Sequence, residues 1–279
     1  MSRAMRGRLF KAALLLSLAI AFITLGTLLV DVLQKGLPYV DSILLTNPPS
    51  ADPDRAGARP AILATIYIGV LLILFTVPLG VGTAIYLEEY ANKERWYNRL
   101  LEVNIQNLAA VPSIVYGILG LAFLVRGIGL GRVLLAGALI LTLLVLPTII
   151  IAAREAIRAV PDSIRQGAYA LGATQWQVVW RQVLPAALPG IATGSILSLS
   201  RAIGETAPLL LIGALTYVAF DPTLTGSFTA LPVQIYNWTK QPQDEFKLLA
   251  AAAIVVLLVI LLTLNAFAIF LRNRYQKRW

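Results

Sequence analysis

The sequence predicts an all-α protein that crosses a membrane six times. Three observations carry that expectation. Of the 279 residues 58% are hydrophobic and only 13% charged, where a soluble domain carries about a quarter charged residues. Mean hydropathy is +0.77. The apolar residues also fall into six stretches, at residues 12–33, 62–87, 105–125, 133–153, 189–219 and 248–271. At about 1.5 Å per residue each can cross a hydrocarbon core of about 30 Å.

The first stretch follows Arg3, Arg6, Arg8 and Lys11, as the core of a signal peptide would. Its apolar run is too long and no small-x-small site follows, so it is expected to be an uncleaved transmembrane helix. From Asn47-Pro48-Pro49 to Pro60 the chain is rich in Pro, Asp and Gly, an external loop with turn chemistry and no core of its own. Residues 1–60 thus form a first helix and its outer loop, and residues 61–279 a single membrane core. Of the 23 Lys and Arg, 15 flank one side of the six spans and seven the other, with Arg201 inside a span. Positive residues stay on the cytoplasmic side, which places both termini there. Tyr217, Tyr236 and Trp238 then fall near the outer interface, where amphipathic rings are favoured.

Cys and His are both absent. That excludes disulfides, thiolate nucleophiles, iron–sulfur clusters, imidazole bases and His or Cys metal ligands. Glu88, Glu89, Glu94 and Glu102 are interleaved with Lys93, Arg95 and Arg99, which reads as a solvated cytoplasmic face. No other carboxylate pair suggests acid–base work, so neither a catalytic residue nor a metal or cofactor site is expected. The net charge of +9 sits at membrane edges, which points to lipid and not to nucleic acid.

The cytoplasmic stretch between spans four and five has helical periodicity. Ile164, Ala168 and Leu171 recur at i, i+4 and i+7 after Pro161, which predicts one face of a helix. Gly172 supplies a stop. Thr174 can cap a second helix in which Trp176, Val179 and Val183 share a face, with Pro185 and Pro189 ending it. The product is a helix–turn–helix with apolar surface outside the lipid. Either it folds back on the protein's own cytoplasmic face or it docks into a groove on a cytoplasmic partner.

The fifth span carries charge. Arg201 lies 12 residues beyond Pro189, about 18 Å along a helix, near mid-membrane, where a charge is costly. Gly194, Ser198, Arg201 and Glu205 follow i, i+4, i+7 and i+11, a small and polar stripe suited to a bundle interior or a wet pathway. Pro208 cannot donate to the Gly204 carbonyl, so the helix is expected to kink or loosen beside Glu205. Interrupted helices at the midplane are where transporters bind substrate. Arg201 and Glu205 either neutralise one another as packing, or Arg201 presents its planar fork to an oxyanion.

Gln166-Gly167-Ala168-x-x-x-Gly172, followed after nine residues by Gln182-Val183-Leu184-Pro185, resembles the "EAA" loop of bacterial ABC-importer permeases. Ala168, Gly172, Leu184 and Pro185 agree with that pattern; Gln166-Gly167 replaces Glu-Ala, and Gln182 replaces Ile. Arg201-Ala202-x-Gly204-Glu205-Thr206-Ala207-Pro208 resembles the signature of PstA-type permease subunits of phosphate ABC importers. Further matches are Val111-Pro112-Ser113-Ile114-Val115-Tyr116-Gly117, Pro78-Leu79-Gly80-Val81-Gly82 before Tyr86-Leu87-Glu88-Glu89-Tyr90, and Leu231-Pro232-x-x-Ile235-Tyr236-Asn237-Trp238.

The resemblance implies a bacterial inner-membrane permease whose substrate pathway passes Arg201, Glu205, Ser198 and Thr206. It implies ATPase contacts at Ala168, Leu171, Gly172, Trp176, Leu184 and Pro185. Implied partners are a sister phosphate permease, a cytoplasmic ATPase dimer and an external phosphate-binding protein. The chain has no Walker loop of the form G-x-x-x-x-G-K-[ST], so ATP and magnesium are expected in the ATPase. Two alternatives remain open from the residues: transport of sulfate or molybdate, and an ion-driven transporter in which Glu205 carries a proton.

Overall fold

The computed structural model describes residues 3–92, 94–214 and 217–275, and every regular element among them is helical. Helix α1 (Arg3–Gly36) is followed by the short α2 (Ser42–Thr46), whose first turn is capped by Asp41 accepting from the Leu44 amide at 2.8 Å. Helix α3 (Arg59–Ile85) runs on through a π turn at Tyr86–Tyr90. Next come α4 (Trp96–Ala109) and α5 (Ser113–Gly120), with a π segment continuing α5 to Gly127. Helix α6 (Leu134–Arg158) leads through α7 (Asp162–Ala170) to α8 (Gln175–Val178), which a π segment at Val179–Val183 joins to α9 (Leu184–Ile203). Beyond it lie α10 (Ala207–Leu211), α11 (Leu231–Thr239) and α12 (Asp244–Tyr275).

Among the described residues, five helices are long and apolar enough to cross a membrane, and the bent pair α4–α5 makes six when counted as one span. Two spans depart from expectation. The third is not one helix over 105–125, because α4 and α5 meet at 104°. Pro112 lacks an amide hydrogen and disfavours helical geometry at Val111. The Ala110 and Val111 amides therefore fold back to the Asn107 and Leu108 carbonyls, and the helix restarts at Ser113.

The fifth span was expected over 189–219 but begins at Gln175 and ends at Ile203. Pro185 and Pro189 do not stop it. A proline ring crowds the carbonyl four residues back, and the π segment just ahead of Pro185 widens the helix, so that the Leu184 amide reaches Val179 O. At the far end the Gly204 and Glu205 amides turn back to Arg201 O and Ala202 O, at 3.2 and 3.1 Å. Pro208 sits in the first turn of α10, where a missing N–H costs little. The interruption beside Glu205 is thus a full break, not a kink.

The central core joins Ile68 and Leu72 of α3, Ile140, Leu141 and Ile149 of α6, and Ile203 and Leu209. Tyr116 belongs to it as well, its hydroxyl donating to Leu108 O at 2.9 Å. Helices α6 and α9 touch through small residues. A Cβ on Gly194 would stand 2.5 Å from that of Ala152, and one on Gly190 2.8 Å from that of Ala156. Small residues four apart permit such close approach in a membrane. Gly194 therefore serves this packing rather than the polar stripe. Gly194→Leu should wedge the two helices apart, costing about 1–3 kcal/mol from overpacking. The expected result is a melting temperature several degrees lower in detergent, read by scanning fluorimetry.

Helix α1 packs mainly on α12, with Gly36 against the Ala251 backbone. The rest of its apolar surface, including Leu16, Phe22 and Ile23, is exposed, as contact with lipid requires.

A second cluster closes the end of the bundle opposite the α7–α8 turn, gathering Leu44, Ala58, Leu231, Trp238 and Phe246. The Pro-rich segment expected to be a coreless loop contributes Ala56 and Ala58 to it, and the Ala58 amide donates to Leu44 O at 2.7 Å. Trp238, expected as an interface anchor, is buried there, with its ring 6.5 Å from that of Phe246.

Candidate functional site

Helix α9 ends just beyond Arg201, and this end faces the break between α4 and α5. Together they enclose a cavity of about 180 Å³ lined by residues 109–113, by Leu144, Val145 and Thr148 of α6, and by Ser198, Arg201, Ala202 and Glu205. Three of the four expected pathway residues thus share one cavity. Thr206 does not line it; it stands at the start of α10. Sequence reasoning missed Ser113 and Thr148. Ser113 was visible only within the Val111–Gly117 match, with no role attached, and Thr148 carries no local signal.

Arg201 Nε lies 3.5 Å from Glu205 Oε1, with the Arg201 side chain 78% exposed and that of Glu205 19% exposed. This is a loose pair. Among the described residues the Arg201 guanidinium makes no hydrogen bond, whereas an arginine serving as packing glue would spend its five donors on neighbours. Ser200, beside it, holds α9 to α12: its Oγ is 2.6 Å from the Asn265 side-chain amide and 2.8 Å from Ile196 O. A planar cation, the hydroxyls of Ser113 and Ser198, and one carboxylate acceptor suit a small anion that still carries a proton, while the Thr148 hydroxyl donates to Val145 O at 2.7 Å.

At the start of the fifth span, the expected helix–turn–helix is present. Gly172 has φ +79°, a conformation side-chain-bearing residues rarely adopt. Thr174 caps α8 in a reciprocal box: Gln177 N donates to its Oγ1 at 3.4 Å and Gln177 Oε1 accepts from its amide at 2.9 Å.

The exposed face differs from the expected one. Ile164 and Ala168 pack inward with Val178 and Val183, while Leu171, past the last helical residue, is 90% exposed. Tyr169, Trp176 and Trp180 are exposed beside it, with the two indole rings 5.0 Å apart. Leu184 and Pro185 lie inside the long fifth helix and are half-buried. Of the six expected contact residues, Leu171, Gly172 and Trp176 are open, and Ala168, Leu184 and Pro185 are placed by packing on the chain itself.

The carboxylates expected on a solvated face are not all solvated. Side-chain exposure is 5% for Glu88 and 7% for Glu89. Glu88 pairs with Arg154 and Arg158 of α6, Arg154 also reaches Glu102 of α4, and Glu89 pairs with Arg165 of α7. No local pattern could reveal this cluster, because the partners of Glu88 and Glu89 lie 66 to 76 residues further along.

Comparison with known proteins agrees with this architecture. Residues 76–278 match the family described as binding-protein-dependent transport system inner membrane component. A probable ABC transporter permease of Bacillus subtilis, YqgH, is 38% identical over 165 residues, 57% of this chain and about half (52%) of its own length. The phosphate transport system permease protein PstA of Xylella fastidiosa is 31% identical over 244 residues, covering 87% of this chain and 84% of that one. Among solved structures, a bacterial alginate ABC transporter bound to its periplasmic protein has a chain that superposes with a TM-score of 0.70 at 20% identity, covering 98% of this chain and 96% of that one. Its matched sequence places the chain in the family of binding-protein-dependent transport system inner membrane components, the permeases of ABC importers.

Proposed function

We propose that this permease passes inorganic phosphate into the bacterial cytoplasm beside Arg201, with both of its termini cytoplasmic. As a permease it is a transport subunit and not an enzyme; ATP hydrolysis belongs to a separate subunit. The observation that carries the substrate assignment is the Arg201–Glu205 pair, held 3.5 Å apart with the guanidinium otherwise unbonded among the described residues. An arginine fork attracts a tetrahedral oxyanion. Phosphate near neutral pH keeps at least one proton that it can donate to Glu205, and sulfate has none to give. A negative neighbour also weakens the site, and a conducting pathway needs binding weak enough for release. The relatives named as phosphate permeases support the same reading.

The partners follow from this role. A sister permease encloses the other side of the pathway, an external phosphate-binding protein delivers the anion, and an ATPase dimer holding ATP and magnesium docks on the surface around Leu171, Gly172 and Trp176. Closure of the ATPase dimer opens the pathway outward near Arg201, and hydrolysis resets it. Thr206 stands at the start of α10 without a side-chain capping bond and outside the cavity lining, and it is not counted among the anion ligands.

The test is ATP hydrolysis by the reconstituted complex with phosphate-, sulfate- or molybdate-loaded binding protein. Stimulation by the phosphate-loaded form alone is expected. Stimulation by another oxyanion, or uptake that survives ATP depletion and collapses with an ion gradient, would refute the assignment.

A further inference from the structure

The buried charge cluster does work that neither the pathway nor the exposed turn explains. Glu88 and Glu89 are adjacent on the π turn that ends α3, and their side chains go to different helices. Glu88 is held by α6, with Arg158 Nε 3.1 Å and Arg154 Nη2 3.3 Å away. Glu89 is held by α7, through Arg165 Nη2 at 2.8 Å and Nε at 3.2 Å. The Glu89 carbonyl also accepts from the Gln175 side chain at the start of α8. The end of α3 therefore grips both helices of the exposed turn and the bundle behind them.

Arg165 uses its whole fork. Besides Glu89 it donates to Val160 O at 2.6 Å and Ile157 O at 3.0 Å, at the C-terminal end of α6, and to Asp162 Oδ1 at 3.2 Å. Packing alone does not call for such an arrangement, since apolar side chains of similar volume hold a buried interface as well or better. Directional pairs instead specify one relative placement of the helices they join.

We infer that Glu89 and Arg165 form a rigid joint through which movement of the α7–α8 turn is passed to α3, which makes both of them positioning residues for transport. The inference rests on the turn being the ATPase contact. Force applied at Leu171 and Trp176 reaches α7 and α8, passes through the Glu89 carboxylate and carbonyl to α3, and so reaches a helix packed along α6 and α9, which line the Arg201 cavity. If Glu89 lost its charge, the turn could still bind and release the ATPase while α3 followed it loosely.

The experiment measures anion uptake per ATP hydrolysed in the reconstituted complex carrying Glu89→Gln. Binding-protein-stimulated hydrolysis should persist while uptake per ATP falls about tenfold, the scale of one charge-assisted hydrogen bond. An unchanged ratio, or uptake and hydrolysis lost together with assembled complex, overturns the joint. Because the chain has no cysteine, Glu89→Cys with Arg165→Cys can be bridged by a short, reducible thiol cross-linker. The bridged form should transport at least as well as the open dithiol form. If bridging stops uptake and reduction restores it, the two must separate during the cycle and the joint is wrong. Trp176→Ala distinguishes the premise from the joint. Normal coupling in Trp176→Ala refutes the ATPase contact, and uncoupling there with normal coupling in Glu89→Gln refutes only the joint.

Discussion

Arg201→Ala is expected to abolish phosphate uptake while the complex assembles at normal levels. Among the described residues the guanidinium is mostly exposed and pairs only with Glu205, 3.5 Å away, so its removal breaks no hydrogen bond, although it leaves the 19%-exposed Glu205 carboxylate without its cation. The loss falls on the anion instead. One charge-assisted contact contributes about 1.5–3 kcal/mol, about 10- to 100-fold in rate, which takes uptake down to the background of the assay. Arg201→Lys should restore part of the uptake, because an ammonium keeps the charge and loses the planar fork. Glu205→Gln should be milder, since an amide still offers an acceptor. Uptake of labelled phosphate by reconstituted vesicles, with assembled complex quantified in parallel, measures all three. Normal uptake in Arg201→Ala, or a defect that tracks missing protein, returns the pair to a structural role.

Gly172→Val is expected to lower both transport and the anion-stimulated ATP hydrolysis that drives it. At φ +79° a β-branched residue is strained by about 1–3 kcal/mol. A Cβ there meets no atom within 4 Å, so the strain lies in the backbone and not in a clash. The turn can relieve it only by changing the angle between α7 and α8, which displaces Leu171 and Trp176 on the proposed docking surface. Membrane insertion should be normal, and anion-stimulated hydrolysis and uptake should both fall. Wild-type values of both would show that the turn does not set the docking geometry.

Much of this was legible in one dimension because the controlling signals are local. Apolar stretches of span length mark membrane helices whatever their neighbours, and Gly172 and Thr174 announce a stop and a cap within a few residues of where they act. The Arg201–Glu205 pair was visible because a charge in an apolar run is costly. Four features were not legible. Pro185 reads as a helix stop, yet a single π segment absorbs it, and nothing in the sequence distinguishes a proline that ends a helix from one that widens it. The fold at Pro112 is similar, since sequence predicts a disturbance there but not a bend of 104°. Ala168 and Leu171 share a helical face only while the helix lasts, and it ends at Ala170, which turns Leu171 outward. The pairing of Glu88 and Glu89 escaped for another reason, because charges near a membrane edge look solvated until the distant arginines are placed beside them.

The most direct test of a phosphate pathway at position 201 is chemical restoration of charge. Arg201→Cys places the chain's sole thiol at that position. The measurement is phosphate uptake after modification of that thiol with an aminoethyl reagent, which adds a cation, compared with a sulfonatoethyl reagent, which adds an anion. The account predicts no uptake by the unmodified variant, partial recovery with the cation and none with the anion. Uptake that is equal in all three states would contradict it.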